Sequence, residues 1–138
     1  MFWNYDRKNL FFQNKINDGQ IILTSSQFGH QLESPYPGVY FYCATKHAVK
    51  ALCEGWRREL RSYAEENNIR IAQLSPGMVK TEIAEVGFGI DKATSDALYD
   101  SIPHLKVEDM AQCVKFILES PPRMQIHDIL VRPTLQIW

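Results

Sequence analysis

The sequence contains few cysteines, almost no excess of charge and no long apolar run. Its cysteines, Cys43, Cys53 and Cys113, are odd in number and show no C-x-x-C spacing, so we expect a reduced, cytoplasmic compartment. A formal net charge of −1 gives no electrostatic reason to expect nucleic acid or an anionic membrane as a partner. No stretch approaches the ~20 consecutive apolar residues of a membrane span, and no signal-peptide core is apparent.

What is present has the composition of a globular protein. The chain has 138 residues, of which 45% are hydrophobic and 22% charged, enough to bury a core. We therefore expect a single domain over residues 1–138. His47, His104 and His127 show no metal-ligand spacing with a cysteine or carboxylate, so we expect no metal site.

Tyr42 and Lys46 lie four residues apart near the start of a helix predicted over residues 42–66. On a helix this spacing places both side chains on one face. A cation about 4 Å from the phenol would favour the phenolate by up to ~4 kcal/mol, or roughly three pKa units. The pair fits a tyrosine that exchanges its proton near neutral pH, although a tyrosine packed under a solvated lysine has the same spacing.

Two short apolar runs rich in β-branched residues lie on either side of this helix, at residues 19–26 and 69–75. Each predicts a buried parallel strand. Ligands of open α/β sheets bind beyond the carboxyl ends of such strands. Ser26 lies at the first of these ends, and the segment PGMVKTE, residues 76–82, follows the second.

Along the chain these segments read strand, S-S-x-x-G, Y-x-x-x-K helix, strand and P-G-x-V-x-T. This series resembles the catalytic part of the short-chain dehydrogenase/reductase family, from about Asp18 to the C-terminus. The resemblance implies an α/β, three-layer, Rossmann-like doubly wound parallel sheet, with only its C-terminal part present. The segments at residues 26–30, 41–49 and 125–136 are most similar to the member 11 branch of the family and to insect farnesol dehydrogenases.

The resemblance also implies a chemistry, hydride transfer between a nicotinamide and an alcohol or carbonyl carbon. Tyr42 would exchange the proton, Ser26 would hold the substrate oxygen, and Lys46 would lower the Tyr42 pKa and bind the ribose. The expected cofactor is NADP(H), with NAD(H) as the alternative, and the expected substrates are apolar, such as the isoprenoid alcohol farnesol or a steroid. The implied cofactor contacts are Tyr42, Lys46, Pro76, Gly77, Val79, Lys80, Thr81 and Glu82.

Details of the same segments carry further expectations. A glycine at position 77 would let the backbone approach a flat ring. By resemblance the Val79 backbone would hold the carboxamide, and Thr81 the carboxamide or a phosphate. His30 would either line the substrate pocket or be a hydrogen-bonded group of a surface loop.

The remaining segments predict further elements. Residues 82–106 resemble a substrate lid with a helix at about 92–101, residues 107–119 an amphipathic helix, residues 126–131 a last strand, and residues 1–17 a short helix. The lid would offer an apolar wall of Phe88, Ile90, Leu98 and Tyr99. An apolar stripe on the helix at 42–66 would pack on the sheet, and the outer face of that helix builds a dimer interface in family members. The stripe comprises Ala44, Ala48, Ala51, Leu52, Trp56, Leu60 and Tyr63.

The phosphate-binding glycine turn of the family, T-G-x-x-x-G-x-G, does not occur in this sequence, and neither does its N-A-G segment. The only G-x-G, at residues 87–89, follows no predicted strand, so we expect it to lie in a loop and not to bind a phosphate. No asparagine lies in a context that matches the family's catalytic asparagine. An alternative hypothesis is therefore a truncated, non-catalytic fragment that acts at most as a dimerisation or interaction module, with its first strand a bare sheet edge.

Overall fold

The structure is a computed structural model that describes residues 17–32, 38–62 and 68–137. The short helix expected within residues 1–17 lies outside the described residues, apart from Asn17, and so do residues 63–66 of the predicted long helix. The strands are β1 (Asp18–Thr24), β2 (Asn68–Pro76) and β3 (Asp128–Val131). The α-helices are α1 (Tyr40–Arg61), α2 (Ile83–Phe88), α3 (Lys92–Ser101) and α4 (Val107–Glu119), and a 3₁₀ turn covers Gln27–Gly29.

The three strands form one parallel sheet in the order β1-β2-β3. Ile21 lies opposite Ile71, and Leu74 lies opposite Ile129. Parallel neighbours need a crossover connection, which α1 supplies between β1 and β2, and α2 to α4 supply between β2 and β3. Within the described residues, β1 therefore pairs on one side only.

Helices cover both faces of this sheet. Arg70 of β2 donates a hydrogen bond to the carbonyl of Ser120, directly after α4. Ser75 of β2 contacts the ring of His30, which is also bonded to Lys50 of α1. Because successive side chains of a strand point to opposite faces, Arg70 and Ser75 place α4 and α1 on opposite sides. The expected three-layer arrangement is confirmed.

The face of α1 that meets the sheet differs from the predicted one. Its buried residues are Cys43, Cys53 and Arg57. The alanines of the stripe are exposed and Leu52 is 47% exposed, so the expectation that the stripe packs on the sheet is wrong for these residues, whereas Trp56 and Leu60 are half-buried and Tyr63 lies outside the described residues. The strands lie within about two residues of the predicted bounds, α3 and α4 begin and end at the predicted residues, and α2 was not predicted.

Arg57 explains how a polar side chain comes to face the sheet. Its guanidinium donates to the backbone carbonyls of Ile71 (3.2 Å) and His127 (3.0 Å) and pairs with Glu54 at 2.6 Å. The planar guanidinium has several N–H donors, so it can bond backbone carbonyls beneath the helix that would otherwise have no partner there. Arg57 thus joins α1 to β2 and to the segment before β3.

Helix α4 is also less buried than its amphipathic pattern predicts. Ile117 is buried, but Val107 and Leu118, apolar residues of the same helix, are each more than half exposed. Among the described residues, no helix combines the length and apolar character that crossing a membrane requires.

Candidate active site

Ser26 lies at the carboxyl end of β1, on the 3₁₀ turn. The N–H of the preceding Ser25 donates to the carbonyl of Leu74 at 2.7 Å and continues the pairing of β1 with β2. The Ser26 hydroxyl oxygen accepts the N–H of Phe28 at 3.2 Å, which caps the turn. Ser26 is buried, at 7% exposure, so its hydroxyl has a defined position.

Gly29 allows this turn to lie directly on the backbone of α1. A Cβ atom at position 29 would fall 2.9 Å from the Lys46 carbonyl oxygen and 2.9 Å from the Ser25 hydroxyl. The Ser25 hydroxyl itself donates to the Lys46 carbonyl at 3.3 Å. The turn that carries Ser26 and the helix that carries Tyr42 and Lys46 are therefore in contact because residue 29 has no side chain.

Tyr42 meets Ser26 as the sequence order predicts. The Ser26 side chain lies close enough to the Tyr42 hydroxyl to act on its pKa. Its ring makes edge contacts with Phe28 and Phe88, at centroid distances of 6.2 Å and 6.1 Å. The ring is thus held between the turn after β1 and helix α2.

The Lys46 ammonium lies over the face of the Tyr42 ring, 5.3 Å from its centroid. It also donates to the carbonyl of Thr24 at 3.5 Å. Burial lowers the pKa of Lys46 from its ordinary value. Ser26, Tyr42 and Lys46 therefore form one cluster at the carboxyl edge of the sheet.

That Lys46 lowers the pKa of Tyr42 stays a prediction. The Lys46 ammonium faces the tyrosine ring and is bonded to the carbonyl of Thr24. Burial raises the pKa of Tyr42, and the Ser26 side chain opposes that rise without reversing it. The phenol is accordingly protonated at neutral pH.

The segment Pro76 to Glu82 continues from β2 along the same edge. The N–H of Gly77 donates to Val131 at 2.7 Å, and the N–H of Lys80 donates to Leu105 at 3.0 Å. The Lys80 ammonium faces the carboxylates of α3, with Asp100 at 3.4 Å and Asp96 at 3.7 Å. The Thr81 hydroxyl accepts the N–H of Ile83 at 3.3 Å, and Glu82, which is exposed, precedes α2.

Gly77 accommodates the C-terminal tail. A Cβ at position 77 would lie 2.5 Å from the side-chain oxygen of Gln136 and 3.1 Å from Cγ of Arg132. We expected this glycine to let the backbone approach a flat ring. The structure gives it a different reason, because the missing side chain would point at the tail.

His30 belongs to a polar cluster that joins the turn to the sheet. Nδ1 of His30 lies 3.2 Å from the Lys50 ammonium, and Nε2 of the same ring lies 2.8 Å from the Asp128 carboxylate. Asp128 also accepts from Ser75 and Gln73, each at 2.8 Å, and both are buried. Sequence patterns did not reveal this cluster, since its members come from a turn, a helix and two strands.

The expected apolar wall is present only in part. Phe88 of α2 contacts Tyr42, but Tyr99 is buried at 2% exposure and packs on His104. Beside α2 lies an open groove of about 580 Å³. It is lined by Thr81, Glu82, Ile83, Val86, Gly87 and Val107.

Residues 9–87, more than half of the chain, match the family described as short chain dehydrogenase. The chain therefore belongs to the short-chain dehydrogenase/reductase family. Over 125 residues it is 46% identical to the chicken (Gallus gallus) dehydrogenase/reductase SDR family member 11, covering 91% of this chain and 48% of that protein. It is 33% identical to the farnesol dehydrogenase of Aedes aegypti over 116 residues, covering 84% and 42%.

Among solved structures, the closed form of a serine dehydrogenase complexed with NADP⁺ superposes with a TM-score of 0.81 at 27% identity. That match covers 96% of this chain and 51% of the other. The comparison confirms the Rossmann-like fold. The chain spans about half the length of the curated relatives it matches.

Proposed function

We propose that this chain carries the proton-transfer site of an NADP(H)-dependent oxidoreductase that interconverts an alcohol and a carbonyl. The observation that carries the proposal is the grouping of Ser26, Tyr42 and Lys46 at the carboxyl edge of the sheet, with the Lys46 ammonium over the tyrosine ring. A donor pair of this kind at the carboxyl ends of parallel strands suits a carbonyl oxygen. The match to a dehydrogenase solved with NADP⁺ supports the cofactor.

In this mechanism the Tyr42 hydroxyl donates its proton to the carbonyl oxygen as that oxygen gains charge. Ser26 donates a second hydrogen bond to the same oxygen and fixes its position. Because burial raises the pKa of Tyr42, the hydroxyl carries its proton at pH 7 and can act as the acid when a carbonyl is reduced. Lys46 adds positive charge beside the ring as the phenolate forms.

The residues present fit the nicotinamide end of the cofactor, which when bound supplies the hydride. Lys46 is half-buried, and none of the ion pairs between described residues involves it, so its ammonium is available to a ribose hydroxyl. The N–H groups of Met78 and Lys80 are hydrogen-bonded within the protein. Val79 lies between them, and we propose that its backbone binds the carboxamide of the nicotinamide. The chain has no glycine turn for the phosphates.

Apolar substrates fit the surroundings of Tyr42. Phe88 contacts its ring, and the groove beside α2 adds Ile83, Val86 and Val107. We propose isoprenoid alcohols such as farnesol, or steroids, as the substrate class, because such molecules can cover this exposed apolar surface. The likeness to a farnesol dehydrogenase supports the first of these.

The test uses a fused protein, in which this chain is joined to the part of the chicken relative that it does not match. We expect the fused protein to oxidise NADPH with apolar aldehydes and ketones. Ser26→Ala should lower kcat by about 10²-fold, since it removes one hydrogen-bond donor to the developing oxyanion. The measurement is steady-state NADPH consumption, monitored by absorbance.

Ser62→Ala is the matched control, because Ser62 is an exposed serine at the far end of α1. It should leave kcat within about twofold of the parent. Equal rates for the Ser26 variant and the parent would refute the role of Ser26. A correctly folded fused protein that reduced no carbonyl substrate with NADPH would refute the proposed function.

A second candidate function is that of a dimerisation module without catalysis. Phe41 and Leu52 of α1 are 82% and 47% exposed, and with Ala44 and Ala48 between them they form one continuous stripe on the helix. Small residues at the middle of the stripe allow a second helix to approach closely. The occupant we propose is the same helix of a second copy.

Leu52→Glu is expected to convert a dimer of the chain into a monomer, because it places a charge in the apolar interface. Sedimentation equilibrium measures the mass directly. Leu118→Glu is the control, since this leucine is similarly exposed but lies on α4, across the sheet. A parent chain that is already monomeric would refute this second candidate.

A further inference from the structure

The side chain of Gln136, in the C-terminal tail, connects two segments of the candidate active site. Its Nε2 donates to Oε1 of Gln27 at 2.7 Å, and its Oε1 accepts the N–H of Met78 at 3.1 Å. Gln27 directly follows Ser26, and Met78 directly follows Gly77. We propose that Gln136 is a positioning residue, which fixes the Ser26 turn relative to the cofactor segment at residues 76–82.

Burial makes these two hydrogen bonds specific. Gln27 is 1% exposed and Gln136 is 9% exposed, so water competes little for either amide. Among the described residues, Nε2 of Gln27 has no hydrogen-bond partner. The Gln27 side chain is therefore held through its oxygen, by Gln136.

The residues around Gln136 leave space for its amide and hold the backbone of the tail in place. A side chain at Gly77 would collide with Oε1 of Gln136, at 2.5 Å from the Cβ position. Arg132 reinforces the tail by donating to the Gln136 carbonyl at 3.4 Å and to the Gln31 side chain at 3.5 Å. The tail thus contacts the turn at Gln27 and the loop after it at Gln31.

An amide suits this position because it donates and accepts at once. Its donor meets the oxygen of Gln27 while its acceptor meets a backbone N–H, so one side chain bonds both segments. Methionine has a similar length but makes neither strong bond, and asparagine is one methylene shorter. The roles of the two segments in binding substrate and cofactor rest on the proposed function, whereas their connection through Gln136 does not.

The first test is amide hydrogen exchange in the 138-residue chain, read residue by residue by NMR. Gln136→Met should speed exchange of the Met78 amide about three- to tenfold, because that N–H loses its acceptor. Exchange within the β1–β2 ladder should stay unchanged, which separates a local effect from general destabilisation. Unchanged exchange at Met78 would overturn the proposal.

The second test is kinetic and uses the fused protein. Gln136→Met should raise KM for NADPH and lower kcat, each about tenfold, since both segments lose their common anchor. A residue that only stabilised the fold would lower the amount of active enzyme and leave KM unchanged. A kcat loss with an unaltered KM would therefore overturn the proposal.

Controls keep the two proposals distinguishable. Leu135→Ala changes a neighbouring side chain that is 75% exposed, and it should alter neither exchange nor kinetics. If Gln136→Met does not fold, Gln136→Asn replaces it, and the same increase at Met78 is expected. If the fused protein has no activity, the proposed function fails, but the exchange experiment still decides whether Gln136 connects the segments.

Discussion

Tyr42→Phe should lower kcat of the fused protein by at least about 10²-fold while leaving NADPH affinity within about threefold. The substitution removes the hydroxyl that lies close to Ser26 and keeps the ring between Phe28 and Phe88. The acid–base group is thereby lost with little change in packing. Turnover by absorbance and NADPH binding by calorimetry, on the same two proteins, measure the two quantities.

Lys46→Met is the informative comparison for that variant. Because we assign Lys46 both a charge beside the ring and a contact to the ribose, its loss should weaken turnover and cofactor binding together. Residual activity of Tyr42→Phe within about tenfold of the parent would exclude Tyr42 as the proton donor.

The 138-residue chain alone should not bind NADPH with a dissociation constant below about 1 mM. In doubly wound folds, much of the affinity comes from a glycine turn that delivers the pyrophosphate to a helix N-terminus. This chain lacks that turn. Three or four hydrogen bonds at the nicotinamide end, at ~1 kcal/mol each, supply less than the ~4.1 kcal/mol that a millimolar constant represents.

Calorimetric titration of the purified chain with NADPH tests this prediction. The fused protein is the positive control, because it should bind at micromolar concentration. Saturable micromolar binding by the chain alone would contradict the prediction. It would also mean that these residues contain a phosphate site that differs from the family's glycine turn.

The pairing of Tyr42 with Lys46 was predictable from sequence because it depends on local geometry, whereas the family resemblance was needed to add Ser26 to the pair. A spacing of four positions on a helix places two side chains on one face, whatever the surrounding structure. The end of a parallel strand is likewise recognisable from an apolar run that stops at hydroxyl residues. The same local patterns located the helices at residues 92–101 and 107–119.

What could not be predicted depends on distant residues. The buried face of α1 contains Arg57 because carbonyls of Ile71 and His127 accept its hydrogen bonds, and no pattern within the helix encodes them. The direction of the Tyr42 pKa shift depends on how burial and the nearby Ser26 side chain balance, which requires tertiary distances. The structural reason for Gly77 lies in Gln136, 59 positions further along the chain.

The bond between Gln27 and Gln136 spans 109 residues, which has a consequence for the order of folding. Contacts so distant in sequence carry a large loop-closure entropy and form late, and parallel strands offer no hairpin to shorten the search. We therefore expect β1, α1 and β2 to associate before the turn at Ser26 is fully ordered. The candidate active site would then acquire its final geometry in the last step of folding, when β3 and the tail are added.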